Sequence, residues 1–389
     1  MEHLLSKELM EEVTRLRRTL HRYPELSGQE RQTAGWIKAF LEKHGAGQVT
    51  GQLGGHSLAA VYESGKPGPT LLLRADMDAL PIQEVNDFDH RSQHDGISHK
   101  CGHDGHTAIL AGVAACLGRE APPRGRVVLL FQGEEETGQG AEKIIRDPLF
   151  QNLVPDAVFA LHNLPGFKKH EVVVREGPFA SASRGMIIHL KGRSSHAAHP
   201  EQGNSPGPVL PSLLQGLIDI PGQRGRFMDF VLLTIIHVRL GEVAFGTNPG
   251  EATVMATLRS YLDEDMKVFT GMAEALAGQL AAKYGLEATC RYTEAFPATH
   301  NHPEGVRTLL EAARSAGASV TQIDSPFRWS EDFGHFTARF PGALFGLGSG
   351  RNHPSLHNND YDFPDEVIPT GIRFFMAIIR QFFNKNNPV

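Results

Sequence analysis

The sequence has few of the features that would place it among secreted or membrane proteins. It contains only 3 Cys in 389 residues, and Cys101, Cys116 and Cys290 are too scattered for a disulfide framework. No window approaches the roughly 18 uncharged apolar residues of a membrane span. The segment from Met1 to Leu20 is charged and amphipathic and lacks the apolar core of a signal peptide. We therefore expect a protein of the reducing cytoplasm.

An excess of positive charge is also absent. The formal net charge is -6 at pH 7, and no Lys/Arg run is interleaved with aromatic residues, so a nucleic-acid partner is not expected. The length favours two domains, because single cores rarely grow beyond about 250–300 residues. The length and charge are those of an ordinary soluble protein.

The most concentrated chemistry in the sequence lies in the stretch His99–His106. It holds three His, one Cys and one Asp. Its two glycines let the backbone turn tightly enough to direct Cys101 and His103 to one place. Thiolate and imidazole groups at a turn suit a divalent transition metal. The alternative is a polar loop with a chance His cluster. The further acidic and His motifs that follow strand-like segments argue against this alternative.

Strand-like and helix-like segments alternate through the first half of the chain. The strand-like runs are Thr70–Arg74, Arg126–Phe131 and Ala157–Leu161, and Thr107–Leu117 is typical of a helix. The polar residues that follow the strand-like runs are Asp76 and Asp78, the run Glu134–Glu136, and His162. This alternation predicts an α/β fold whose functional side chains lie at the carboxyl ends of the strands.

The pattern changes near Ser183. From there to Thr293 the segments follow the order β-α-β-β-α-β, which predicts a compact ferredoxin-like α+β insert. After Phe296 the α/β pattern resumes. We therefore predict an α/β domain formed by residues 1–183 and 297–389, interrupted by a smaller domain of residues 184–296.

Five side chains from distant parts of the sequence form a set that could hold two metal ions. They are Cys101, His103, Glu136, His162 and His357. A single-ion catalytic site usually has three protein ligands, whereas five ligands with one bridging thiolate suit a pair of ions. Glu135 would then be the general base. Adjacent side chains on extended backbone point in opposite directions, so a bend must bring Glu135 and Glu136 to the same site. Taken alone, the Glu run could also be a solvated loop.

The order of these motifs resembles that of peptidase family M20, subfamily D, and the resemblance covers nearly the whole chain. The motifs are Leu20–Ser27, Arg74–Pro81, Cys101–Thr107, the Glu run, Leu161–His162, Ser330–Phe333 and Leu356–His357. The resemblance implies that the five side chains are ligands of two divalent ions, such as zinc, manganese, cobalt or nickel. It also implies that Glu135 is the catalytic base and that Asp76 and Asp78 orient a ligand imidazole.

The resemblance also implies that the larger domain is the catalytic domain and that the smaller one is a lid and dimerisation domain. In this family the lid domains usually pair to form a homodimer, so that His196 would contact the substrate carbonyl in the partner chain's active site. Arg259 would bind the α-carboxylate of the substrate. Two departures leave points open. The family usually has Pro-Ala-Glu-Glu-Gly-Gly where this chain has Gly133–Gly138, so the extra Glu134 is a rival for the base, but the register Glu-Glu-x-Gly is matched by Glu135–Gly138 and favours Glu135. Asn248 directly precedes a proline, so its role as a substrate contact stays open.

The implied activity is metal-dependent hydrolysis of the amide bond of an N-acyl amino acid, as in hippurate hydrolases and N-acyl-amino-acid aminoacylases. One alternative is a dipeptidase or carboxypeptidase that has the same two-metal site but takes a substrate with a free amine. Another is a catalytically silent, metal-binding dimer, against which the Glu135 base argues. A structural zinc site is the weakest alternative, because only one of the five ligands is a cysteine.

Overall fold

The computed structural model describes residues 4–385. These residues form two compact units. The smaller unit comprises Ala180–Ala298 and Pro326–Glu331, and the other described residues form the larger unit. The α/β class predicted from the sequence is confirmed. The smaller unit contains the predicted insert of residues 184–296 and also the later segment Pro326–Glu331, which the sequence pattern did not reveal.

The larger unit is built on an eight-stranded mixed sheet. The eight strands of this sheet are β1 (Gln48–Leu53), β2 (Ser57–Glu63), β3 (Thr70–Asp76), β4 (Arg126–Gln132), β5 (Ala157–Pro165), β6 (Val172–Val174), β15 (Val320–Gln322) and β16 (Gly342–Gly350). Two further strands, β7 (Gly177–Ala180) and β14 (Thr299–Asn301), form a separate pair. The helices of this unit are α1 (Lys7–Arg22), α2 (Arg31–Lys43), α3 (His103–Arg119), α4 (Gly140–Arg146), α7 (Pro303–Ala316), α8 (Gly334–Thr337) and α9 (Ile368–Lys385). Within residues 4–385, every helix is too short or too polar to cross a membrane.

The centre of this sheet is parallel and buried. The main sheet has the order β1-β2-β4-β3-β5-β16-β6-β15, and β3 runs parallel to both β4 and β5. Every residue of β3 is buried, as expected for a strand covered on both faces. Helix α3 packs on β3 and contacts α1 and α9. Because parallel strands end at one edge, residues at the ends of β3 and β4 come close to His162 of β5.

Helix α3 begins earlier than the sequence predicts. The expected helix was Thr107–Leu117, but α3 starts at His103, directly after Gly102 in the left-handed conformation (φ 93°). Gly105 lies inside the helix rather than ending it. A Cβ atom at this position would be 2.3 Å from the ring of Phe363, so the glycine is required by close packing. His103 and His106 are therefore one turn apart on the same helix face.

The smaller unit has the ferredoxin-like order β-α-β-β-α-β. Its main elements are β8 (Ala182–Lys191), α5 (Leu210–Asp219), β10 (Val231–Leu240), β12 (Glu251–Ser260), α6 (Asp263–Lys283) and β13 (Glu287–Phe296). The strands form an antiparallel sheet in the order β10-β12-β8-β13, so β10 and β13 are its edges. Buried and less buried residues alternate along β12, because one face of the sheet packs on the helices. A short pair of strands, β9 (Ser195–His196) and β11 (Thr247–Asn248), stands apart from this sheet.

Candidate metal centre

The five predicted ligands come together in the larger unit. They are placed by different elements: Cys101 by the loop before α3, His103 by the start of α3, Glu136 by the turn after β4, His162 by β5, and His357 by the segment after β16. The backbone N–H of His357 donates to the carbonyl of Lys100 at 2.8 Å, which joins the last of these segments to the loop of Cys101. Residues separated by much of the chain thus meet at the carboxyl edge of the parallel strands.

The donor atoms form two groups that share one thiol. Cys101, His103 and His162 have ligand atoms within 4.8 Å of one another, and so do Cys101, Glu136 and His357. Cys101 Sγ lies 3.5 Å from His162 Nε2. Glu136 Oε1 lies 3.8 Å from His103 Nε2 and 3.7 Å from His357 Nε2. These two groups could therefore hold a pair of divalent ions, with Cys101 as a donor common to both groups.

Hydrogen bonds fix the imidazole rings in the form that binds metal. His103 Nδ1 lies 2.9 Å from the carbonyl oxygen of Asp78, and His162 Nδ1 lies 2.9 Å from the carbonyl oxygen of Asn163. A carbonyl only accepts, so both Nδ1 atoms donate, and in the neutral form of each ring the free lone pair is on Nε2. These are the two nitrogens that face the cluster.

Two buried polar atoms of the cluster have no hydrogen-bond partner among the described residues. They are Nε2 of His103 and Oε1 of Glu136. Buried polar groups without partners are rare, because each costs the free energy of desolvation. Asp76, Asp78 and Glu135 add further buried carboxylates. Thiolate, imidazole and carboxylate donors of this kind suit zinc and neighbouring divalent metals, so the residues present fit a metal centre.

The electrostatics of the cluster also favour a cation. Burial and the nearby Glu136 carboxylate raise the pKa of the Cys101 thiol well above its ordinary value. Burial likewise raises the pKa of Glu136, to about 7, and lowers the pKa of His162 well below its usual range. A divalent cation would reverse the first two effects by stabilising the thiolate and the carboxylate.

A turn after β4 directs both Glu135 and Glu136 to the cluster. Glu134 has a φ of 58°, in the left-handed region that residues other than glycine seldom adopt. Gly138 N–H donates to the carbonyl of Glu135 at 2.8 Å. Because this turn ends the extended backbone, Glu135 Oε2 lies 4.0 Å from His103 Nε2, close to the carboxylate of Glu136. The bend that the sequence required is present.

Glu134 is placed differently from its neighbours. Its carboxylate binds Lys143 of α4, and its backbone N–H donates to Glu30 Oε1 at 2.8 Å. Among the described residues, the groups able to hold a metal ion include Glu135 and Glu136 but not Glu134. The geometry therefore places Glu135, and not Glu134, beside the other donor atoms.

Asp76 and Asp78 both lie beside His103, and Asp76 also contacts His106. Asp78 Oδ1 lies 3.3 Å from His103 Nδ1, and Asp78 Oδ2 accepts the backbone N–H of Glu136 at 3.0 Å. Asp76 Oδ1 lies 2.6 Å from His106 Nδ1 and 3.8 Å from His103 Nε2. Asp78 thus ties a predicted ligand to the glutamate turn, whereas Asp76 orients a histidine outside the predicted ligand set.

The other predicted site residues, His196 and Arg259, lie in the smaller unit. His196 is exposed on β9, where it pairs with Thr247. Arg259 lies on β12, and its Nη1 donates to the carbonyl of Arg328 and to Ser330 Oγ, each at 2.9 Å. Asn248, whose role the sequence left open, donates to Ser195 Oγ at 3.1 Å.

Sequence reasoning did not assign roles to three buried residues beside the cluster. His106 Nε2 lies 2.6 Å from Asn163 Oδ1, and Asn163 directly follows His162. Asp332 donates its backbone N–H to Glu135 Oε1 at 3.2 Å. His106 and Asp332 each belong to a motif that supported the family resemblance, so membership of a motif was the available signal.

A model of Peptidase family M20/M25/M40 matches residues 72–381. The chain belongs to this family. Uncharacterized hydrolases from Staphylococcus haemolyticus and Staphylococcus epidermidis are 32% and 31% identical to it, over 96% of this chain and 98% of each relative. A solved structure from Bacillus subtilis, described as a dinuclear metal-binding peptidase of the M20 family, is 25% identical with a TM-score of 0.83, over 98% of this chain and 100% of that chain. This M20 protein is therefore a hydrolase.

Replacement of the shared thiol tests the metal centre of this M20 hydrolase. Cys101→Ala should bind less metal than the wild type, because the sulfur common to both donor groups is lost. Metal content is measured by elemental analysis after the protein has been stripped and reloaded with zinc, manganese, cobalt or nickel. Cys116→Ala is the matched control, since Cys116 is a buried thiol of α3 outside both groups. Equal metal content in a folded Cys101→Ala protein would show that Cys101 is not a ligand.

Proposed function

We propose that this M20 hydrolase is a subfamily D amidohydrolase that cleaves N-acyl amino acids, of the N-acetyl or N-benzoyl type, into a carboxylic acid and a free amino acid. The observation that carries the proposal is the position of Glu135. Its buried carboxylate lies 4.0 Å from His103 Nε2, beside the donor atoms that would hold metal. A centre that only bound metal would have no need of this base.

The proposed cofactor is a pair of divalent ions held by Cys101, His103, Glu136, His162 and His357. When bound, such ions lower the pKa of water and polarise a carbonyl group. Glu135 accepts the proton of the attacking water and then passes it to the nitrogen of the leaving amine. The N–H of Asp332 donates to Glu135 Oε1, and Oε2 lies on the side of His103.

Arg259 is the proposed ligand for the substrate's α-carboxylate. The bonds to Arg328 and Ser330 use only Nη1 among its nitrogens. A guanidinium carries five N–H donors, so Arg259 can still bind a carboxylate in two hydrogen bonds. N-acyl amino acids and dipeptides both carry this carboxylate. Discrimination between them therefore depends on the acyl part of the substrate, which carries a free amine in a dipeptide and none in an N-acetyl or N-benzoyl amino acid.

We further infer that the protein is a homodimer formed through the smaller unit. Strand β10 is an edge of its sheet, and the edge carries exposed apolar side chains, with Ile236 61% exposed and Val238 39% exposed. Val243 and Phe245, in the segment that follows, are almost fully exposed. Exposed edge strands with apolar side chains are templates for pairing with another chain. A second copy of this chain is the occupant that we propose.

In that dimer His196 would act in the partner chain's active site. Its Nδ1 accepts the backbone N–H of Ala198 at 3.1 Å, so the neutral ring carries its proton on Nε2. This exposed N–H is suited to donate to the oxyanion that forms on the substrate carbonyl. Oxyanion donors contribute roughly 3–4 kcal/mol each to transition-state stabilisation.

The base assignment is tested by comparing adjacent glutamates. Glu135→Gln should lower kcat by roughly 10²–10⁴-fold, because the amide cannot transfer the proton. Glu134→Gln is the matched control and should have a much milder effect, since Glu134 binds Lys143 instead. Both variants should retain their metal. The opposite ranking of the two kcat values would assign the base to Glu134.

The substrate class is tested with a panel of N-acetyl amino acids, N-benzoyl amino acids and dipeptides. Higher kcat/KM on the N-acyl compounds supports the amidohydrolase, whereas higher kcat/KM on dipeptides would identify a dipeptidase. An N-acyl amino acid whose carboxylate is amidated should lose most of its kcat/KM with the wild type. It should lose little further with Arg259→Ala, and Arg291→Ala of β13 serves as control. Additive losses would contradict carboxylate binding by Arg259.

The role of His196 is tested with mixed dimers. His196→Ala and Glu135→Gln homodimers should each be nearly inactive. Re-formed heterodimers should recover one working site in two, because one site then combines an intact Glu135 with an intact His196 from the other chain. Tagged chains and native mass spectrometry establish that heterodimers have formed. If such heterodimers stay inactive, His196 does not act across the interface.

A further inference from the structure

A buried ion-pair network lies beside the proposed base. Arg74 of β3 is completely buried. Its Nη1 donates to Asp76 Oδ2 at 2.7 Å, its Nη2 to Asp332 Oδ1 at 2.8 Å, and its Nε to Gln132 Oε1 at 2.8 Å. The planar guanidinium thus bonds in three directions at once, which a lysine could not reproduce. The pair with Asp332 connects residues 258 positions apart in the chain.

Asp332 is held by several donors in addition to Arg74. Gln132 Nε2 lies 2.8 Å from Asp332 Oδ1 and 2.7 Å from Oδ2. The backbone N–H of Ala141 donates to Oδ2 at 2.9 Å. Asp332 is completely buried. Both carboxylate oxygens are therefore engaged, and the backbone of Asp332 cannot shift without breaking charge-assisted hydrogen bonds.

The backbone of Asp332 contacts the proposed base directly. Its N–H donates to Glu135 Oε1 at 3.2 Å, while the other oxygen of that carboxylate is 4.0 Å from His103 Nε2. A displacement of Asp332 would therefore release or rotate the Glu135 carboxylate. Misplacement of a catalytic group by about 1 Å can lower a rate 100-fold.

The same network reaches the helix that carries a proposed ligand. Asp76, bound to Arg74, also lies 2.6 Å from Nδ1 of His106. His106 is one turn after His103 on α3. Arg74 thus binds both Asp332, whose backbone N–H contacts Glu135, and Asp76, which contacts His106 near the start of α3.

We propose that Asp332, held by Arg74 and Gln132, is a positioning residue that sets the orientation of the Glu135 carboxylate for proton transfer. The inference rests on the proposed function, in which Glu135 is the base. Asp332 acts through its own backbone N–H, and its side chain serves to fix that N–H in place.

A double-mutant cycle of Asp332→Asn and Glu135→Gln tests this role. Asp332→Asn keeps the backbone N–H and the side-chain size, but its amide nitrogen would face the donors of Gln132 and Ala141. In the wild-type background kcat should fall roughly 10- to 100-fold, as for a misplaced catalytic group, with KM and metal content unchanged. In the Glu135→Gln background the same change should have almost no further effect on kcat, because the group that Asp332 positions is gone.

Gln132→Met is the second variant, to be used if Asp332→Asn does not fold. It keeps the ion pair between Arg74 and Asp332. It should lower kcat less, and its effect should also vanish in the Glu135→Gln background. Asp265→Asn is the matched control, because Asp265 is a buried carboxylate of the smaller unit that accepts the N–H groups of Met228 and Asp229 at 2.9 Å. This control should lower Tm and leave kcat unchanged.

The outcomes separate the inference from the proposed function. Additive losses in the cycle, or loss of metal in Asp332→Asn, would mean that Asp332 does not act through Glu135, and would overturn the inference. If Glu135→Gln by itself had wild-type kcat, the proposed base would be wrong, and the proposed function would fail before the cycle was read.

Discussion

The candidate metal centre is organised around two buried polar atoms that lack hydrogen-bond partners among the described residues. Nε2 of His103 and Oε1 of Glu136 are 3.8 Å apart, both are buried, and neither has a hydrogen-bond partner within the described residues. Buried polar atoms of this kind destabilise a fold unless a ligand satisfies them. A divalent cation would bond to both atoms and would also compensate the charges of the surrounding carboxylates. The neighbouring hydrogen bonds agree with this interpretation. The Nδ1–H groups of His103 and His162 donate to backbone carbonyl groups, so that Nε2 of each ring faces the other donor atoms.

Fold and site are connected through backbone conformation. The parallel strands bring His162 close to the ends of β3 and β4, and the left-handed Gly102 lets α3 begin immediately at His103. A Cβ atom on Gly102 would be 2.3 Å from Asn163 Oδ1, so the close approach of the Cys101 loop to β5 requires a glycine at this position. The left-handed Glu134 in turn lets Glu135 and Glu136 share one site. Metal binding and proton transfer thus depend on a few backbone turns at one edge of the sheet.

Much of this could be predicted from sequence, for identifiable reasons. Alternating apolar runs predicted the α/β fold, and unusual residue types in short motifs predicted which side chains would meet at the cluster. The remainder depends on three-dimensional packing. Gly105 would ordinarily interrupt a helix, yet here it accommodates Phe363. Arg74 begins a motif of the family resemblance, but its ion pair with Asp332, 258 positions away, depends on the packing of distant segments. The contact of Asp332 with Glu135 uses a backbone N–H, which no side-chain pattern can report. The preference for N-acyl substrates stays a prediction.

The central claim is that Cys101 belongs to a site for two metal ions. Anomalous diffraction from crystals of the cobalt- or zinc-loaded protein tests it most directly, because each ion gives its own peak. We expect two peaks per chain, both within bonding distance of Cys101 Sγ, one near His103 and His162 and the other near Glu136 and His357. A single peak per chain, or metal bound away from Cys101, would contradict the account.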